Sequence, residues 1–190
     1  MSRTQSSASE AADGCPRLVL LVGAPGAGKT TIGRALAQRL RVNLVETDDV
    51  VAEWAGKPVA EVVLDDGEET FRALEAKAVE QVLTGSGVGV LGGGALADEQ
   101  LRERLCIEAR TDPPALAVVW LDVTAPIAAS RLGLNVPRPV GLGNVRAQFS
   151  TAMKERADWY ADVATLRIPT DHVPPEQLVS TILEQLEAQP

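Results

Sequence analysis

Residues Gly23-Ala24-Pro25-Gly26-Ala27-Gly28-Lys29-Thr30 make a complete G-x-x-x-x-G-K-[ST] element, set between an apolar run, Leu18 to Val22, and a helical pattern. The glycines let backbone N–H groups converge on phosphate oxygens without Cβ obstruction. The helix that follows offers its positive N-terminal end to the same anion. The expected nucleotide contacts are therefore Gly26, Ala27, Gly28, Lys29, Thr30 and Thr31. Lys29 would reach the β- and γ-phosphates of ATP, and the Thr30 hydroxyl would ligate Mg²⁺. A glycine-rich turn that only joins strand to helix is the competing reading, but it gives no role to the Lys-Thr ending. The element specifies a nucleotide and not a reaction, since transferases, motors and switches all carry it.

Charged side chains inside an apolar helical stripe are costly unless an ionic partner meets them. Two segments have this property. Phe71, Leu74, Ala78 and Val82 mark one stripe, with Glu75 inside it and Arg72 at its edge, three residues apart and so adjacent on a helix. That spacing predicts a buried Arg–Glu couple. Val145, Phe149, Ala152, Met153 and Tyr160 mark a second stripe, with Arg156 in its middle, which calls for an anion opposite it. The alternative is that both arginines snorkel to solvent or make structural ion pairs, and the pattern alone leaves this open.

The elements that must position these residues alternate along the chain. Apolar runs at Leu18 to Val22, Asn43 to Val45, Val88 to Leu91, Leu116 to Leu121 and Ala164 to Ile168 read as strands of a parallel sheet buried on both faces. Helical patterns lie between them: Ile32, Ala35, Leu36 and Leu40; the stripe at Phe71; then Leu101 and Leu105. Two final helices are expected, from about Val145 to Tyr160 and after Pro174 and Pro175. The fold class is α/β, three layers around a central parallel sheet of about five strands, with ligands at the carboxyl ends of the strands. In a chain of 190 residues this implies one compact domain, 17–190, preceded by a Ser- and Ala-rich leader, 1–16, that is expected to be disordered. A glycine- and proline-rich segment, about 131–145, reads as a mobile lid.

Composition narrows the partners. A net charge of −8 without clustered Lys and Arg argues against nucleic acid, so the ligands are expected to be small molecules. Cys15 and Cys106 lack paired spacing and have only His172 as a companion, so neither a disulfide framework nor a zinc site is expected. No apolar stretch approaches a membrane span, and the first residues lack the pattern of a secretory signal. The expectation is a cytoplasmic monomer without a membrane partner.

In chain order these residues resemble the shikimate kinases, from about Leu18 to the last helix. The resemblance rests on the glycine-rich loop, Glu46-Thr47-Asp48, Asp66-Gly67-Glu68 leading to Phe71-Arg72 and Glu75, Gly92-Gly93-Gly94, Arg131, Arg138-Pro139 and Arg156. It implies a P-loop fold like that of the nucleoside monophosphate kinases, and transfer of the γ-phosphoryl of MgATP to the 3-hydroxyl of shikimate. It implies that Arg72 and Arg156 hold the shikimate carboxylate. Gly92, Gly93 and Gly94 would approach the substrate, with Gly93 in contact. Asp48 would bind the hydroxyls and accept the proton of the attacking one, as a carboxylate can, although the residue pattern also allows Asp48 or Thr47 to be a helix N-cap. Arg138 in the lid would swing onto the transferring phosphoryl group, and Arg131 would be a second nucleotide contact. Glu46 stands where the family usually has Asp to hold Mg²⁺ through water. Val63 replaces a common Phe at the substrate side, and Val173 stands where members can carry an arginine near adenine. Pattern alone leaves a kinase of another acceptor, such as gluconate or a nucleoside monophosphate, or a non-catalytic nucleotide-binding regulator.

Overall fold

A computed structural model describes residues 16–111, 114–134 and 145–188. Five parallel strands form one sheet: β1 (Leu18–Val22), β2 (Leu44–Glu46), β3 (Gly87–Val90), β4 (Leu116–Asp122) and β5 (Leu166–Pro169), in the order β2-β3-β1-β4-β5. β1 sits in the centre with all five residues buried, as a run of branched side chains covered on both faces requires. Its neighbours are β3 and β4, with Leu18 opposite Gly87 on one side and Leu116 on the other. The chain leaves β1 where the strand order reverses, which opens a crevice above the carboxyl ends.

The helices are α1 (Lys29–Leu40), α2 (Thr47–Ala55), α3 (Val59–Thr84), α4 (Glu99–Glu108), α5 (Ala125–Arg131), α6 (Val145–Val163) and α7 (Pro175–Glu187), with a 3₁₀ turn at Ala95–Ala97. A Cβ on Gly33 of α1 would meet the Val90 side chain, and one on Gly89 would meet Val82 of α3. Residues 89 and 90 point to opposite faces of the sheet, so α1 and α3 cover opposite faces. α7 packs beside α1, and α6 beside α4, which completes three layers.

The expected strands and the α1, α4, α6 and α7 patterns are all present. Three details differ. α3 begins at Val59, twelve residues before the Phe71 stripe, and is broken at Gly67, where φ 88° and ψ 163° lie outside the helical region. In α2, Val50 and Val51 are buried but Trp54 of the same apolar run is exposed. The Arg72–Glu75 couple is only half buried: Glu75 is 5% exposed, whereas the Arg72 side chain keeps 40% of its surface. The guanidinium reaches outward to Glu68 as well and lies 5.3 Å from the centre of the Phe71 ring.

Candidate active site

The loop between β1 and α1 wraps back over the helix terminus. Gly26 and Gly28 have φ of 81° and 96°, and a Cβ on Gly26 would fall 2.9 Å from the carbonyl oxygen of Ala128, so close approach to α5 leaves room for glycine only. Gly28 is the N-cap of α1 and offers no side-chain cap, which leaves the first N–H groups of the helix directed at the crevice. Lys29 folds over the loop and donates to the carbonyls of Gly23 and Ala24 at 2.8 and 3.2 Å. Burial pulls its pKa down to about 8, against the attraction of Asp48 and Glu46. Gly26, Gly28, Lys29, Thr30 and Thr31 line one cavity of about 230 Å³ together with Glu46, Asp48 and Gly92; the sixth expected phosphate contact, Ala27, is buried beneath it.

Glu46 ends β2 and is 8% exposed. Thr30 donates its hydroxyl to Glu46 Oε2 at 2.6 Å, while the buried Oε1 accepts no hydrogen bond among the described residues. Its ion-pair neighbour is the exposed Arg34, whose Nε is 3.7 Å away. A buried carboxylate oxygen without a hydrogen bond, beside a hydroxyl at the phosphate loop, is a donor set that fits a hard cation such as Mg²⁺.

Neither Asp48 nor Thr47 caps α2. The N-cap is Glu46, without a side-chain cap bond, and the buried Thr47 hydroxyl instead accepts the N–H of Gly92 at 2.8 Å. Asp48 is left facing the crevice. Burial lifts its pKa, Lys29 opposes the rise and Asp49 adds to it.

Gly92–Gly94 follows β3, and none of its residues has a positive φ. These positions are small because side chains crowd them. A Cβ on Gly92 would fall 2.7 Å from Asp48 Oδ1 and 3.0 Å from Glu75 Oε1; one on Gly93, 3.0 Å from Pro25; one on Gly94, 3.0 Å from Arg72 Nη1. Arg156 donates to the carbonyl of Gly93 at 3.1 Å. Burial raises the Glu75 pKa, and the hydrogen bond from Arg72 at 2.6 Å holds it back. Asp48, Arg72 and Arg156 thus converge on one turn from α2, α3 and α6. Arg131, at the end of α5, donates to the carbonyls of Gly26 and Thr170 at 3.1 and 2.8 Å and so ties the phosphate loop to the segment after β5. In that segment His172 is exposed, and Val173 packs on the core. Arg138 and most of the expected lid lie outside the described residues.

A profile of the shikimate kinase family matches residues 25–187. The chain belongs to the shikimate kinase family. It is 44% identical over 172 residues to a shikimate kinase of Thermobifida fusca, covering 90% of this chain and 95% of that one. It is 43% identical to a shikimate kinase of Saccharopolyspora erythraea over 89% of this chain and 93% of the relative. Among solved structures, a shikimate kinase from Acinetobacter baumannii in complex with shikimate superposes with a TM-score of 0.78 at 26% identity, covering 90% of this chain and 93% of that one. Two residues that line the glycine turn escape sequence reading as its partners, Thr47 and Tyr160, whose hydroxyls both reach it. The position of Tyr160 one helical turn after Arg156 was the available signal.

Proposed function

We propose that this protein transfers the γ-phosphoryl group of ATP to the 3-hydroxyl of shikimate, giving shikimate 3-phosphate and ADP. The observation that carries the reading is the convergence of Asp48, Arg72 and Arg156 on Gly92–Gly94, within the electrostatic reach of Lys29. Lys29 and the N–H groups at the start of α1 bind the phosphates. Arg72 and Arg156 hold the acceptor carboxylate, and Glu75 fixes the Arg72 fork. Asp48 orients the attacking hydroxyl and takes its proton as the oxygen bonds to phosphorus; the bridging oxygen leaves with ADP. Arg131 keeps the nucleotide loop fixed to the Thr170 segment, and Arg138 supplies a further guanidinium to the transferring group. Thr30 and Glu46 would hold Mg²⁺, which when bound neutralises charge on the β- and γ-phosphates.

The net charge of −8 supports a small-molecule acceptor over nucleic acid. The reading extends to a single domain acting in the cytoplasm without a membrane partner, supported by the length of the chain and the lack of a long apolar stretch in it, and to a monomer. The test is ADP release by purified protein with MgATP and, in turn, shikimate, gluconate and a nucleoside monophosphate, with the product identified by mass and by the site of phosphorylation. Shikimate is expected to have the highest kcat/KM by orders of magnitude. ADP release that does not respond to shikimate, or a preference for another acceptor, overturns the reading.

A further inference from the structure

The turn Gly92–Gly94 has no side chains with which to hold itself in place, yet buried hydroxyls from two distant elements grip its backbone. Gly92 donates its N–H to Thr47 Oγ1 at 2.8 Å, across 45 residues of sequence. Thr47 is completely buried at the start of α2. The Tyr160 hydroxyl donates to the Gly93 carbonyl at 2.9 Å, and Arg156 Nη1 donates to the same oxygen at 3.1 Å. Tyr160 is 3% exposed, and its ring stands 6.0 Å from that of Trp120. Burial pushes the phenol up to about 12, against the pull of Arg156, so it stays a donor throughout the working pH range.

We propose that Thr47 and Tyr160 are positioning residues that suspend the acceptor turn between two elements: Thr47 sets its distance from Asp48, and Tyr160 sets the pose of Arg156. The inference rests on the reading of this turn as the acceptor seat. Thr47 is bonded in sequence to Asp48, so the hydrogen bond that its hydroxyl oxygen accepts from the Gly92 N–H fixes the gap between the carboxylate and the turn. That gap has no slack, because one added carbon on Gly92 would meet Asp48 Oδ1 at 2.7 Å. Without the Thr47 acceptor the turn moves relative to Asp48, and misplacement at the reacting atoms is felt in rate. Tyr160 acts differently. A carbonyl oxygen has two lone pairs, and at Gly93 the phenol fills one and Arg156 the other, so the phenol fixes the direction in which the guanidinium is held. Arg156 binds a part of the acceptor that does not react, so its misorientation weakens ground state and transition state alike.

The experiment uses the full chain with Thr47→Val, Thr47→Ser and Tyr160→Phe, varying shikimate and ATP separately, with thermal melts and amide hydrogen exchange of the substrate-free protein. Thr47→Val is expected to lower kcat about tenfold with both KM values within about threefold, and Thr47→Ser to restore it. Tyr160→Phe is expected to raise the shikimate KM about tenfold while kcat and the ATP KM stay within about twofold. In Thr47→Val the Gly92 amide is expected to exchange at least about tenfold faster, with or without any activity. Should Thr47→Val fail to fold, Thr47→Ala is measured in the same way. Kinetic constants that stay at wild-type values while only the melting temperature falls overturn the proposal, as does an ATP KM that rises with the shikimate KM. A Gly92 amide whose exchange does not change in Thr47→Val, while the wild-type protein phosphorylates shikimate, overturns the role of Thr47 and leaves the function standing. A responsive amide in a protein inactive on shikimate supports the suspension and overturns the acceptor reading alone.

Discussion

Replacing Lys29 by methionine is expected to abolish phosphoryl transfer and yet to make the substrate-free protein more stable at neutral pH. Burial lowers the ammonium pKa from its ordinary 10.5 to about 8, and Asp48 and Glu46 restore only part of the loss. A fall of that size corresponds to about 3 kcal/mol of destabilisation while the amine is charged in both the folded and the unfolded chain. Part of the side chain faces solvent, and methionine forfeits the bonds to the carbonyls of Gly23 and Ala24. The net gain is therefore smaller, about 1 to 2 kcal/mol, or about 3–6 °C in Tm for a domain of this size. The sign reverses with pH. Below about pH 8 the charge is borne in both states and the destabilisation is complete; between about 8 and 10.5 the folded amine is neutral while the unfolded one still holds its proton. Wild-type stability rises relative to the variant through that window, and the gap closes. Denaturant titrations of both proteins at intervals from about pH 7 to 10 read the difference directly, since other titrating groups cancel. A variant less stable than wild type at neutral pH, with a gap that does not move on raising the pH, would refute the claim of a desolvated lysine. Near-normal turnover would refute its role on the phosphates.

Asp48→Asn is expected to retain ATP binding and lose on the order of 10²- to 10⁴-fold in kcat; an active variant would leave Asp48 a ligand and not a base. Because burial raises the Asp48 pKa, the acid limb of wild-type activity should lie above the ordinary aspartate value, activity falling as pH drops through the raised pKa. Arg156→Ala and Arg72→Ala are each expected to raise the shikimate KM roughly ten- to hundredfold, the loss of a charge-assisted bond to a desolvated carboxylate, with the ATP KM little changed. Unchanged shikimate KM in both variants removes the clamp. Glu46→Gln is expected to raise the Mg²⁺ concentration for half-maximal activity about tenfold at saturating ATP, as loss of a carboxylate partner to a metal does; an unaltered Mg²⁺ titration would return Glu46 to a structural partner of Thr30.

What sequence reading captures here follows range. The bounds of β1 agree at both ends because all five residues are buried on both faces, so the apolar run and the strand coincide. The phosphate loop is a local motif, and local spacing identifies it. The first half of α3 escapes because Gly67 reads as a break, and a break in the chain direction does not say that a second helix precedes it. The half-burial of Arg72–Glu75 escapes because spacing shows that two side chains touch, not which of them faces water. The glycine turn is legible as a place without side chains, but its cause is not: the groups that crowd it, from Pro25, Asp48, Arg72 and Glu75, come from three separate segments. Thr47 and Tyr160 bond to it across 45 and 67 residues, distances at which no periodicity carries information.

On the proposed function, the same convergence would couple the nucleotide and acceptor halves of the site. Asp48 is drawn two ways, its proton affinity raised by burial and lowered by Lys29, while Lys29 is held in its charged form partly by Asp48. One ammonium therefore serves both halves. In the substrate-free protein it makes the carboxylate a weaker base than its burial alone would. Nucleotide phosphates bound at Lys29 would compete for that ammonium and draw its field away from Asp48. The carboxylate would then gain proton affinity when a phosphoryl donor is in place, which is when the acceptor hydroxyl must lose its proton. The acid limb of kcat, set by the complex with both substrates, then lies at higher pH than the limb of kcat/KM for ATP, set by the substrate-free site; coincident limbs would mean that Lys29 does not carry charge between the two halves.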